Sequence, residues 1–136
     1  MVIKEFETFV VANPPPRFGG RYFIFIKLVT DTGIVGYGEV YCATFSAATV
    51  ESMLQDTAER YAVGHDPFHI ETLWRRVYGS GYNLRPDVSL VSILSALEMA
   101  CWDIVGKACG KPAYELLGGR VHDRLRTYTY IYPESG

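Results

Sequence analysis

Ser95–Gly119 reads SALEMACWDIVGKACGKPAYELLGG. Taken with the residues just before it, the stretch places Leu90, Leu94, Leu97, Cys101, Ile104 and Ala108 at alternating steps of four and three, which predicts a helix from Val88 to Ala108. That helix is apolar on several sides, so it is expected to lie buried between layers rather than on a surface. Gly110-Lys111-Pro112 then breaks it, a short turn covers Ala113–Leu117, and Gly118-Gly119 lets the chain change direction.

The period shifts on either side of this helix. Val50, Met53, Leu54, Thr57, Ala58 and Tyr61 recur at helical spacing from Ser46 until Gly64. A further helix, Ile70 to Tyr78, carries the stripe Ile70, Leu73, Trp74, Val77 and Tyr78, with Glu71 and Arg75 paired four apart on its outer face. Toward the N-terminus the pattern is β-like, over Val2–Val11, Tyr22–Thr30 and Ile34–Val40. The last two runs are joined by Asp31-Thr32-Gly33, and a glycine able to take a positive φ there makes an antiparallel hairpin. Strands in one block followed by helices in another indicate an α+β domain, a three-stranded antiparallel sheet followed by a helical bundle. Beyond the helices, Arg126-Thr127-Tyr128-Thr129-Tyr130-Ile131-Tyr132 alternates like one more strand, with no partner strand after it.

The chain has 136 residues, 49% of them hydrophobic and 21% charged, the balance of a soluble globular domain with a real core. A net charge of -2 and the lack of any Lys/Arg run argue against nucleic acid as a partner. Lys4, Glu5 and Glu7 interrupt what would be the apolar part of a signal peptide, and no membrane span is expected, so the chain reads as cytoplasmic. Cys42, Cys101 and Cys109 form no CxxC pair and read as reduced packing residues.

Several small motifs invite a chemical reading. His65-Asp66-Pro67-Phe68-His69 sets two histidines four apart, yet Pro67 between them makes the stretch a turn, with Asp66 expected to help cap the helix from Ile70. The glycines at 33, 36 and 38 lie in a hairpin strand and not ahead of a helix, so they are no dinucleotide loop. Glu98 and Asp103 are five apart on one helix and diverge, which suits salt bridges or caps better than a catalytic pair. The loop Asn13–Arg21 is stiffened by three prolines and loosened by Gly19-Gly20. Its Arg17, Phe18 and Arg21 are the equipment of a lid over a small anion, weighed against an ordinary solvated loop. Tyr82-Asn83-Leu84-Arg85 has a similar character in a loop between helices.

The positions Ala96, Glu98, Ala100, Trp102, Asp103, Ile104, Gly106, Lys107, Pro112, Leu116, Leu117, Gly118 and Gly119, together with Thr30–Glu39 (TDTGIVGYGE) and Gly64-His65-Asp66-Pro67, resemble the N-terminal capping domain of the mandelate racemase/muconate lactonizing branch of the enolase superfamily. The resemblance covers nearly the whole chain in order. It implies a cap over residues 1–120 and, over residues 121–136, the start of a (β/α) barrel whose first strand is Arg126–Tyr132. It further implies removal of a proton α to a carboxylate, with Mg²⁺ stabilising the enediolate. The metal ligands and general base would sit on barrel strands not in this chain, so no catalytic or metal-binding residue is assigned here. Substrate contacts are expected from the cap at Arg17, Phe18, Arg21, Tyr41, Tyr82 and Asn83, and from Tyr130 on the barrel strand. The ending and the polar lid are most similar to sugar-acid dehydratases of the gluconate or galactonate kind. Racemases, cycloisomerases and dipeptide epimerases share the cap, and homo-oligomers are common in the family. The competing expectation is a noncatalytic module that stands alone, binding small acids or pairing with another subunit through exposed apolar surface.

Overall fold

In a computed structural model, described for residues 1–42, 44–83, 85–128 and 131, three strands come first: β1 (Ile3–Ala12), β2 (Tyr22–Thr30) and β3 (Val35–Val40). They form one antiparallel sheet in the order β1-β2-β3, with Val10 opposite Ile24 and Ile24 opposite Val40. The hairpin turn forms where the sequence placed it, and Gly33 takes φ 82°. Four helices follow: α1 (Ala47–Thr57), α2 (Ile70–Ser80), α3 (Val88–Cys109) and α4 (Ala113–Leu116).

Alternation along β2 puts Ile24, Ile26, Leu28 and Thr30 on one buried face, where they meet α3 and α1. α3 runs through the centre of the molecule. Leu94, Leu97 and Ile104 are fully buried on it, each such side chain stabilising by about 1.5–3 kcal/mol relative to exposure. It is the one helix among the described residues long and apolar enough to cross a membrane, and its apolar residues pack against the sheet and α2 instead.

How α3 comes so near the sheet is set by β3. Gly36 and Gly38 point at the helix, and a Cβ on Gly38 would stand 2.8 Å from the Ala96 carbonyl carbon, while one on Gly36 would stand 2.7 Å from Ile104 Cγ1. Two glycines opposite Ala96 and Ala100 therefore let helix backbone rest almost directly on strand backbone. The Asp103–Lys107 ion pair of 2.6 Å reinforces this contact: Asp103 Oδ2 accepts from the Tyr37 amide at 3.0 Å and Lys107 Nζ donates to the Val35 carbonyl at 2.7 Å. These are the outward groups of an edge strand, satisfied by helix side chains. α3 begins with Asp87, whose Oδ1 accepts from the Leu90 amide at 3.0 Å, and ends at Gly110 with φ 64° and a Lys111 amide to Gly106 carbonyl bond of 2.9 Å.

Three expectations need correction. The first helix is not uniform, because Ala58–Ala62 widens into a π turn, closed by the Val63 amide on the Ala58 carbonyl at 3.1 Å. Both alanines stay on the core side, which the apolar period does not distinguish from a continuous α-helix. Asp66 does not cap α2; its carboxylate accepts from the Phe68 amide at 3.1 Å and so closes the preceding turn, while His69 stands at the cap position without a side-chain bond. Cys109 is exposed rather than packed, because α3 leaves the core at its last turn.

Cys101, by contrast, is buried, and burial, together with the nearby Glu98 carboxylate, pushes its thiol up to about 12. A thiolate-directed reagent at pH 8 is accordingly expected to leave Cys101 unmodified in the native chain and to modify it only after unfolding, which peptide mapping would read.

Residues 117–128 carry no regular element and lie exposed. Residues 126–128, at the start of the expected barrel strand, belong to no strand of the described sheet. Thr129, Tyr130 and Tyr132 lie outside the described residues.

Candidate functional site

One end of the sheet gathers the loop between β1 and β2 and the segment leaving β3. Gly19, Gly20 and Arg21 from the loop, Tyr22–Ile24 from β2, Glu39 and Val40 from β3 and Tyr41 and Cys42 just after it enclose a cleft of about 200 Å³. Antiparallel pairing accounts for this meeting, since the first residues of β2 lie beside the last residues of β3. Arg21, Glu39 and Tyr41 are among its lining residues, a basic, an acidic and a phenolic side chain on one cleft. A larger groove of about 440 Å³ opens next to it, between Glu39 and Tyr41 on one side and Val88, Val91, Ser92, Ser95 and Met99 of α3 on the other. Tyr41 is 76% exposed and borders both spaces.

The structure brings Arg21 and Tyr41 together, as residues of one cleft. Arg17 and Phe18 lie in the same loop and are exposed, but they do not line the cleft. Tyr82 and Asn83 are exposed in the connection from α2 to α3 and line neither space. Tyr130 lies outside the described residues.

The loop itself has a defined shape. The Arg17 amide donates to the Pro14 carbonyl at 3.0 Å, the Gly20 amide donates to the Arg17 carbonyl at 3.2 Å, and Arg17 sits at φ 62° in the left-handed region. Asn13 Nδ2 donates to the carbonyls of Phe18 at 2.8 Å and Gly20 at 2.7 Å. Tyr22 donates through its hydroxyl to the Phe45 carbonyl at 2.9 Å, tying the start of β2 to the segment beyond β3. Asn13 and Glu39 were not singled out from the sequence. An Asn at a strand end facing a glycine-bearing loop is a signal for the first, and the period-two alternation that puts Glu39, opposite Phe25, on the same face as Tyr41 for the second.

Other chemically suggestive residues have structural partners. His65 is buried and its Nε2 meets the His69 carbonyl at 3.0 Å, so the two imidazoles do not face a common ion. Glu98 Oε2 accepts from Trp74 Nε1 at 2.9 Å and its Oε1 from Trp102 Nε1 at 3.4 Å. Asp103 forms the expected salt bridge, whereas Glu98 serves two indoles instead of a cation. Among the described residues no three His, Cys, Asp or Glu side chains group as a metal site, so these residues do not fit a Mg²⁺ ion.

The N-terminal domain family of mandelate racemase/muconate lactonizing enzymes matches residues 8–118. The chain belongs to that family. Its sheet and helices are the capping domain of the enolase superfamily. It is 42% identical over 117 residues to a D-galactonate dehydratase of Ralstonia nicotianae, covering 86% of this chain and 28% of that protein. It is also 42% identical over 126 residues to a D-galactonate dehydratase family member of Streptomyces bingchenggensis, with 91% and 30% covered. A crystal structure from Labrenzia alexandrii, assigned to the mandelate racemase/muconate lactonizing enzymes, superimposes with TM-score 0.93 at 63% identity over 99% of this chain and 34% of that one. The chain thus spans about a third of the relatives it matches.

Proposed function

We propose that this chain is the substrate-covering cap of an enzyme that dehydrates a sugar acid of the D-galactonate kind. The cap covers residues 1–120, and residues 121–136 begin a barrel. The observation that carries the reading is the cleft that joins Arg21, Glu39 and Tyr41. A sugar acid presents a carboxylate and several hydroxyls. A guanidinium is suited to the former, and a carboxylate and a phenol to the latter. The identity to D-galactonate dehydratases supports the same substrate class.

In this reading the reaction removes the proton α to the carboxylate and expels the neighbouring hydroxyl as water, leaving an enol that relaxes to a 2-keto acid. The general base and the Mg²⁺ ligands in this reading belong to the barrel. The cap's own part is to orient the acid and exclude water, with Arg17, Phe18, Tyr82, Asn83 and Tyr130 as further contacts around the mouth. A cytoplasmic location, a homo-oligomeric assembly and a small carboxylate as partner go with this assignment.

The test is to incubate the full-length gene product with D-galactonate and a panel of other aldonic and aldaric acids and follow 2-keto acid formation. Dehydration of one of them is expected, and Arg21→Ala should raise KM about tenfold with a smaller change in kcat, the loss of one charge-assisted hydrogen bond. Absence of dehydration across the panel would sink the reading.

A further inference from the structure

The geometry points to Asn13 as a positioning residue that latches the loop over the cleft, acting through the backbone of residues 18–20 without touching the substrate. It deepens the reading of the cleft as a sugar-acid site and rests on that reading for its kinetic consequence.

Asn13 lies directly after β1, half-buried, where the chain leaves the sheet. Its amide donates to the Arg21 carbonyl at 2.9 Å, which closes the base of the loop. The side chain then reaches inward, and the two Nδ2 hydrogens meet the carbonyls of Phe18 and Gly20 at 2.8 and 2.7 Å. Both partners are carbonyl oxygens, so only the NH₂ end of the amide fits there, and the orientation of the side chain is determined. Three donated bonds from a single residue thus converge on the segment from Phe18 to Arg21. The backbone there is conformationally costly to hold: Gly19 and Gly20 sit at φ 83° and 147°, and Arg17 occupies a left-handed conformation that costs a non-glycine residue. Loop closure has an entropic cost that a loose segment would bear on every binding event. With the latch made, Arg21 is held at the cleft before substrate arrives. Without it, the binding-competent loop is only a fraction of the population, and apparent affinity falls by that fraction.

Two variants separate this role from simple packing. Asn13→Asp keeps the shape but removes both hydrogens and sets a carboxylate against two carbonyls, while Asn13→Ala removes the side chain. In the full-length protein both are expected to speed tryptic cleavage of the Arg17–Phe18 bond by on the order of tenfold, with the remaining sites cleaved at the wild-type rate. In the dehydration assay both should raise KM by a similar factor and leave kcat within about twofold. An Asn13→Asp protein cleaved and saturated like wild type would overturn the latch, because it would show that shape alone suffices. Cleavage spread over the whole chain would overturn it too, by showing that Asn13 supports the sheet instead. The proteolysis reads the latch even if no sugar acid is dehydrated, so failure of the latch and failure of the substrate assignment are distinguishable.

Discussion

Gly38→Ala is expected to lower the urea midpoint of unfolding more than any other single-methyl change in the chain. The added Cβ would stand 2.8 Å from the carbonyl carbon of Ala96 and 3.1 Å from its Cα. Both are backbone atoms of α3, so no side-chain rotation relieves the overlap and the helix has to move off the sheet. Overpacking of an ordinary core costs about 1–3 kcal/mol. Here the displacement also loosens the contacts of Ala96, Leu97, Ala100 and Ile104, all fully buried, so a loss above about 3 kcal/mol is expected, against a typical domain stability of about 5–15 kcal/mol. Gly33→Ala is the control: its φ is 82°, but nothing lies within 4 Å of the added carbon, so only the conformational cost of about 1 kcal/mol applies. Equal midpoints for the two variants would refute the close approach of α3 to β3.

Glu98→Ala should be the second large effect. This carboxylate is the acceptor for both tryptophans of the chain, Trp74 and Trp102, which come from α2 and α3. Its removal leaves two half-buried indole N–H groups without their acceptor, at about 1–3 kcal/mol for each donor that stays dry. A fall in stability of about 2–4 kcal/mol is expected, with altered tryptophan fluorescence in the folded state. Glu98→Gln retains one carbonyl oxygen and should lie between Ala and wild type. Thermal melts of the three proteins test the order; an Ala variant as stable as wild type would mean that water replaces the carboxylate at both indoles.

Much of the architecture was legible because it rests on local periodicity. The period-two runs of β2 and β3 and the Asp31-Thr32-Gly33 turn are a hairpin in the structure, and the heptad-like spacing from Leu90 is α3. What stayed hidden depended on contacts remote in sequence. Glu98 reads as a salt-bridge or capping residue until Trp74, 24 residues away, is seen to donate to it. Asp103 and Lys107 form the expected i,i+4 pair, but that they also close the edge of β3 is visible only once the helix lies against the strand. Of the lid residues, Arg21 and Tyr41 converge because β2 and β3 are register partners, whereas Tyr82 and Asn83 have no ladder to place them. Asn13 passed for the first residue of a loop, since its role lies in which carbonyls its amide reaches.

The amino-acid order alone determined the three strands, the main helices and the α+β arrangement, because apolar spacing, glycine turns and helix-ending signals act over a few residues and survive without a partner, and its motifs carried the resemblance to the family. The tertiary structure decided which carboxylate is structural and which faces the cleft, and where a glycine is obligatory instead of merely permitted. Those outcomes depend on distances between segments, and a distance of a few ångströms between Gly38 and Ala96, or between Asn13 and Gly20, is set only when the whole core closes.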